Sequence, residues 1–214
     1  MRLSQKVNLF YPFIANEARQ AAFDRLGDKW IGEGDKVKEF ERNFSKKFKL
    51  KNCLALNNGT AGLHLAYYLA GLTDQDEVIT TALTCSATNI PLLHQLKGHW
   101  RNIIFADINK KTLNIDPEDI KRKITPSTKA IVCMHWGGYP CEMGEIIKIA
   151  KKHNLIVIED AAQSVGASIW QSIDGLPANE YKPIGSISDY TVFSFQAIKT
   201  LTTVDGGMLT VRDD

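Results

Sequence analysis

Short, continuously apolar runs alternate along the chain with stretches of helical periodicity, and this alternation limits the fold more than any other feature. Five runs of strand length end in small or polar residues: Cys53–Leu56, Glu77–Thr80, Asn102–Phe105, Ala130–Met134 and Leu155–Ile158. Unbroken apolarity marks strands covered on both faces, as in a parallel sheet. Two more candidates follow, Tyr190–Phe195 and Gly207–Val211. Within Asp35–Phe48, Val37, Phe40, Phe44 and Phe48 recur at helical spacing, with Asp35 expected as the N-cap. Thr60–Leu72 is apolar nearly all round, as a helix packed inside an α/β layer would be. Asp116-Pro117 opens a helix to Ile124 with a cap and then Pro at its first position. Glu142–His153 sets Met143, Ile146, Ile147 and Ala150 on one face and its lysines on the other. Strands alternating with helices predict a three-layer α/β/α domain around a mostly parallel sheet of about seven strands. That domain is expected over residues 35–214. Residues 1–34, where Gly27, Gly32 and Gly34 break any pattern, are expected to be irregular.

Composition narrows the function classes. With 214 residues, 44% of them hydrophobic and 23% charged, the chain can bury a sizeable core and is not of the disordered kind. Its 26 basic and 24 acidic residues are interspersed, so no basic stripe points to nucleic acid. Four cysteines (53, 85, 133 and 141) are too few for a disulfide framework, which makes a reducing cytoplasm the expected compartment. No apolar run approaches the roughly 18 residues of a membrane span. The N-terminal MRLSQKVNLFYPF lacks the pattern of a secretory signal.

In open α/β sheets ligands sit beyond the carboxyl ends of the strands, so the polar residues there are the ones to inspect. Asn57-Asn58-Gly59-Thr60-Ala61-Gly62 follows the first strand and opens a helix. Such a segment is often only a tight turn, yet small residues at a helix N-terminus also let amides approach a phosphate. Neither dinucleotide nor nucleoside triphosphate fingerprints occur. Glu159-Asp160 ends the fifth run; a carboxylate there is a helix cap, a metal ligand or the partner of a protonated heterocyclic nitrogen. Lys199 follows the sixth run in Ser194-Phe195-Gln196-Ala197-Ile198-Lys199. A loop lysine is usually a solvated surface residue. Here Phe193, Phe195, Ile198 and Leu201 flank it, and desolvation lowers an amine's pKa toward what a nucleophile needs. A phosphate cradle, a carboxylate and such a lysine together meet the needs of pyridoxal phosphate.

The order of the motifs also resembles the sugar aminotransferases of the DegT/DnrJ/EryC1/StrS family, of the aspartate-aminotransferase fold type. The likeness starts at Trp30-Ile31-Gly32-Glu33-Gly34 and continues through Asn58–Ala66, Asp76–Thr80, Thr112–Asp116 and Thr125–Ile131. It closes with Ile158–Gln163, Phe193-Ser194-Phe195, Lys199 and Gly206-Gly207-Met208. The resemblance implies that Lys199 holds the cofactor as a Schiff base and then moves protons. Asp160 would pair with the pyridine nitrogen, Gln163 would contact the ring or its phenolic oxygen, and Gly59, Thr60 and Ser194 would bind the phosphate. It further implies an amino-acid donor, glutamate in most of the family, a keto group on a nucleotide-linked sugar as acceptor, and a homodimer. The product would serve surface polysaccharide.

Two departures stand out. Cys85 falls where the family usually stacks an aromatic on the cofactor ring, and its place near the ring is retained as an expectation. The chain also ends at Asp214, one strand after the lysine, where family members continue into a smaller domain; that domain is expected to be absent. His135 and Trp136, after the fourth strand, are expected to line the substrate pocket. Cys133, His135 and Cys141 match no common zinc spacing, and no metal is expected. Two rival readings stand beside the aminotransferase. One is a sugar dehydratase using the same cofactor, whose known branch carries His in place of the lysine. The other is a non-catalytic protein that binds cofactor or a partner.

Overall fold

The computed structural model describes residues 12–28, 31–173 and 178–212. The first eleven residues, up to Tyr11, together with Trp30 and Asp213-Asp214, lie outside these ranges. Two helices, α1 (Asn16–Leu26) and α2 (Asp35–Phe48), precede β1 (Cys53–Leu56). Then come α3 (Gly59–Leu69), β2 (Glu77–Thr81), α4 (Ser86–Gln95), β3 (Ile103–Ala106), α5 (Pro117–Lys123) and β4 (Thr128–Met134). The chain continues with α6 (Met143–His153), β5 (Ile156–Asp160), the short β6 (Ser168–Ile169) and β7 (Lys182–Pro183), β8 (Tyr190–Ser194) and β9 (Gly207–Val211).

Seven strands form one sheet in the order β1-β9-β8-β5-β4-β2-β3, and β6 and β7 form a separate antiparallel ribbon. The ladders joining β3, β2, β4, β5 and β8 are parallel. Strand β9 is antiparallel to both β8 and β1. The first run is thus an antiparallel edge strand, where a buried parallel one was expected; with a neighbour on one side only, it leaves Leu54 exposed.

Strand alternation divides the core. Ile79, Ile131, Cys133, Val157, Phe193 and Met208 point to one face, with Phe44 of α2, Ile120 of α5 and Ile146 of α6. Val78, Ala130, Val132, Ile158, Val192 and Leu209 point to the other, with Leu63 and Tyr67 of α3 and Leu92 of α4. Successive residues of a strand serve opposite layers, which is why these runs are apolar without interruption. The three layers expected from the sequence are present.

Three local expectations change. Asn16–Leu26 is helical, not irregular; Gly27 sits at its C-cap, so the glycines end the helix and start the loop rather than breaking it. No residue of α1 is buried. Asp35 is the first helical residue, and the N-cap is Gly34, which offers no side chain. Helix α4 went unmarked in the sequence because Cys85 supplies no capping bond and Pro91 sits inside it.

Candidate active site

The carboxyl ends of β5 and β8, the start of α3 and the start of α4 enclose a cavity of about 390 Å³. Its wall includes Gly59, Thr60, Cys85, Asp160, Ser194 and Lys199. Six of the nine residues singled out from the sequence therefore converge. A volume of this order is normal for a small-molecule site.

The cradle follows from how α3 begins. Asn58 caps the helix, its Oδ1 accepting from the Ala61 amide at 2.8 Å, while the Gly62 amide reaches the Asn58 carbonyl at 3.3 Å. The amides of Gly59 and Thr60 are left without an acceptor among the described residues, which is the condition for holding an anion. Close packing fixes where they point. A Cβ on Gly59 would stand 3.1 Å from Ser194 Cβ, and one on Gly207 only 2.5 Å from the Asn58 carbonyl carbon. Ser194, at the end of β8, is buried beside them.

Asp160 is the last residue of β5, and 3% of its surface is exposed. Its Oδ2 accepts from Thr88 Oγ1 at 2.6 Å and its Oδ1 from the Ala162 amide at 3.1 Å. Burial raises its pKa, against the pull of Thr88, the Ala162 amide and the Lys199 charge. A carboxylate so placed gains most from a cation brought into the cavity. Lys199, half-buried, lines the same space, and its amine makes no hydrogen bond or ion pair among the described residues. Its apolar setting is only half as expected, for Phe193 and Phe195 are buried but Ile198 and Leu201 are exposed. Cys85 is exposed at the cavity rim.

His135, Trp136 and Gln163 do not line this cavity. His135 is completely buried on the far side of the sheet end. Its Nε2 lies 2.8 Å from Glu159 Oε2, and its Nδ1 accepts from the Cys141 amide at 3.0 Å. Burial disfavours a second proton on the ring, while the Cys141 sulfur and the Glu159 carboxylate pull the other way. The amide decides the matter, because a proton on Nδ1 would meet the Cys141 N–H head-on. The ring is neutral, with Nε2–H donating to Glu159. Glu159 also accepts from Thr191 Oγ1 at 3.2 Å and from Ser188 Oγ. His135 is thus a satisfied core residue and not a pocket wall. Trp136 is half-buried, its amide donating to Asn114 Oδ1 at 2.8 Å. Gln163 turns its Oε1 to the Gly137 amide at 2.7 Å, tying the loop after β5 to the loop after β4. Both loops begin at strand ends, but Gln163 is spent on the backbone of the neighbouring loop and does not reach the cavity.

Thr88, which no sequence motif marks, joins the site through its bond to Asp160. Asp205 and Gln196 also line the cavity. A second cavity of about 480 Å³ lies under the β6–β7 ribbon, lined by Lys47, Lys49, Tyr181 and Phe193 among others, and holds none of the nine. Among the described residues no three His, Cys, Asp or Glu side chains converge as a metal ion requires. No helix there is long and apolar enough to cross a membrane.

Comparison with known proteins gives a consistent result. The DegT/DnrJ/EryC1/StrS aminotransferase family matches residues 12–214. The chain is 40% identical to the spore coat polysaccharide biosynthesis protein SpsC of Bacillus subtilis, over 98% of this chain and 51% of that protein. It is 33% identical to GDP-perosamine synthase of Escherichia coli O157:H7, over 97% of this chain and 53% of that one. Among solved structures, the PLP form of the sugar aminotransferase Spr1654 from Streptococcus pneumoniae superposes with a TM-score of 0.85 at 27% identity, covering 98% of this chain and 54% of that one. The chain spans about half the length of the curated relatives it matches.

Proposed function

The chain belongs to the DegT/DnrJ/EryC1/StrS aminotransferase family, and from that premise we propose that it carries the cofactor site of a pyridoxal-phosphate-dependent aminotransferase acting on a keto group of a nucleotide-linked sugar. One observation carries the reading. A free amine, a buried carboxylate and two unsatisfied helix amides, from three separate elements, face one cavity. These are the three contacts that a phosphorylated pyridine aldehyde needs.

When bound, the cofactor supplies an electron sink for the bonds to the substrate's amine-bearing carbon. The chain's own residues do the rest. Gly59 and Thr60 donate their amides to the phosphate, with the Ser194 hydroxyl beside them. Asp160 keeps a proton on the ring nitrogen. Lys199 would hold the cofactor's aldehyde through Nζ, and the same amine would serve as the base and acid that moves a proton at the substrate carbon. Cys85, at the cavity rim, would lie near the ring. An amino acid, glutamate by preference, delivers the amino group in one half-reaction and the sugar takes it in the other, so ping-pong kinetics follow. The protein acts in the cytoplasm as a homodimer, in the supply of aminated sugars for polysaccharide.

Absorbance tests this. Added pyridoxal phosphate should produce a band near the visible edge that Lys199→Ala abolishes, that glutamate shifts, and that a nucleotide-linked keto sugar restores. A cofactor-loaded protein with no such band removes Lys199 from its role. A band that responds to no amino donor identifies a cofactor-binding protein without turnover.

A further inference from the structure

A chain of hydroxyls runs into Asp160 from behind. Thr88 Oγ1 lies 2.6 Å from Asp160 Oδ2 and also 2.6 Å from Thr84 Oγ1. A hydroxyl has one proton to give. An ionised Asp160 can only accept, so Thr88 gives its proton to Asp160, and Thr84 must then donate to Thr88. The order is fixed by the charge at the end of the chain.

Thr88 is held for this purpose from both sides. Its amide bonds to the Cys85 carbonyl at 3.0 Å, and the fully buried Tyr67 hydroxyl donates to its carbonyl at 2.9 Å. Thr88 itself has no exposed surface, while Thr84 is only half-buried. Swinging the Thr88 hydroxyl away would break two short bonds with no water to replace them.

We propose that Thr88, polarised by Thr84, is a positioning residue that keeps Asp160 anionic in its buried setting and turns the free lone pairs of the carboxylate toward a protonated heterocyclic nitrogen in the cavity. The inference rests on the cofactor reading above. Other titratable groups surround the carboxylate. Lys199 faces it across the cavity, His135 lies behind the sheet end, and Tyr67 and Cys133 stand beside it. Of these only Lys199 brings a charge, and it is taken up by the cofactor when that binds. Thr88 then remains as a permanent side-chain donor.

The test uses the whole chain and carboxyl-carbon NMR, with the Asp160 signal identified by its loss in Asp160→Asn. Thr88→Val should move the Asp160 titration midpoint up by about one to two pH units, the worth of a charge-assisted buried bond. Thr88→Ser should return it to the wild-type position, and Thr84→Val should raise it by less. In parallel, pyridoxal phosphate should bind Thr88→Val about tenfold more weakly and Thr88→Ser normally. An unmoved midpoint in folded Thr88→Val overturns the proposal. If that variant does not fold, Thr84→Val decides, since an unmoved midpoint there removes the polarising step. Wild-type protein that never binds pyridoxal phosphate overturns the cofactor reading but leaves the NMR shift standing, so the two failures are separable.

Discussion

Replacing His135 separates a core role from a pocket role. His135 and Glu159 are both fully buried, and the imidazole is one of three donors to the carboxylate, with Thr191 and Ser188. His135→Ala leaves Glu159 with two neutral hydroxyls and orphans the Cys141 amide that now reaches Nδ1. Removing one member of such a buried pair costs about 3–5 kcal/mol, a large part of the roughly 5–15 kcal/mol that holds a domain together. For a chain of this size that is a fall in Tm of roughly 6–20 °C. Urea and thermal melts followed by circular dichroism read it directly. Adding an apolar residue at the partner position, as in His135→Leu with Glu159→Leu, should recover much of the loss, leaving about 1–3 kcal/mol for the Cys141 amide. The pH profile tests the tautomer. An imidazolium with a pKa of about 10 would stabilise the fold fully below pH 6.5 and lose that stabilisation as pH rose toward 10. The neutral ring should leave stability flat between pH 6.5 and 9. A His135→Ala cost under about 1 kcal/mol, or a steep decline across that window, would refute the reasoning.

Three further outcomes are expected. Because burial raises the pKa of Asp160, its ionised form weakens the cofactor-free fold, and stability should fall as pH climbs through that raised value. Urea titrations of Asp160→Asn should accordingly show a gain over wild type that is larger at pH 7 than at pH 4. Iodoacetamide at pH 8 should alkylate exposed Cys85 first, with pyridoxal phosphate slowing the reaction. It should reach Cys53 slowly, because burial lifts that thiol to about 11, and the buried Cys133 and Cys141 only on unfolding. Gly62→Ala should cost about 1 kcal/mol in urea unfolding, because a Cβ 2.8 Å from Val192 Cγ1 overpacks by more than the helix gains; adding Val192→Ala should restore it.

Much of the sheet was legible because its strands are buried on both faces and therefore apolar throughout. The seven runs became the seven strands within a residue or two. What the runs could not carry was direction. The Cys53–Leu56 run reads like the parallel ones, and its antiparallel setting depends on pairing with β9, far later in the chain. The cavity was legible where chemistry and position coincide, since Gly59, Thr60, Asp160, Ser194 and Lys199 all sit at the ends of strands or just beyond. His135 and Gln163 satisfy the same positional rule and still face away. Strand ends leave each following side chain a choice of directions, and here Glu159 and the Gly137 amide made stronger claims on them. Thr88 was hidden for another reason. Its role depends on a bond to Asp160 across 72 positions, and nothing local marks a threonine as a donor to a distant carboxylate.

Glu159 and Asp160 show how much one step along a strand can decide. In the sequence they form a single acidic pair. In β5 consecutive side chains take opposite faces, so the pair is divided between two environments. Glu159 turns into the layer with α6, where its oxygens receive His135, Ser188 and Thr191, and nothing further can approach it. Asp160 turns to the layer with α3 and α4, where its protein donors are Thr88 and the Ala162 amide and the remaining side is open to the cavity. Both carboxylates are buried, yet only Asp160 is left with an open side. The difference between a structural carboxylate and a reactive one therefore lies in how completely the protein supplies donors. A chain that gave Asp160 a third fixed donor would gain stability and lose the affinity for a cation on which the cavity depends.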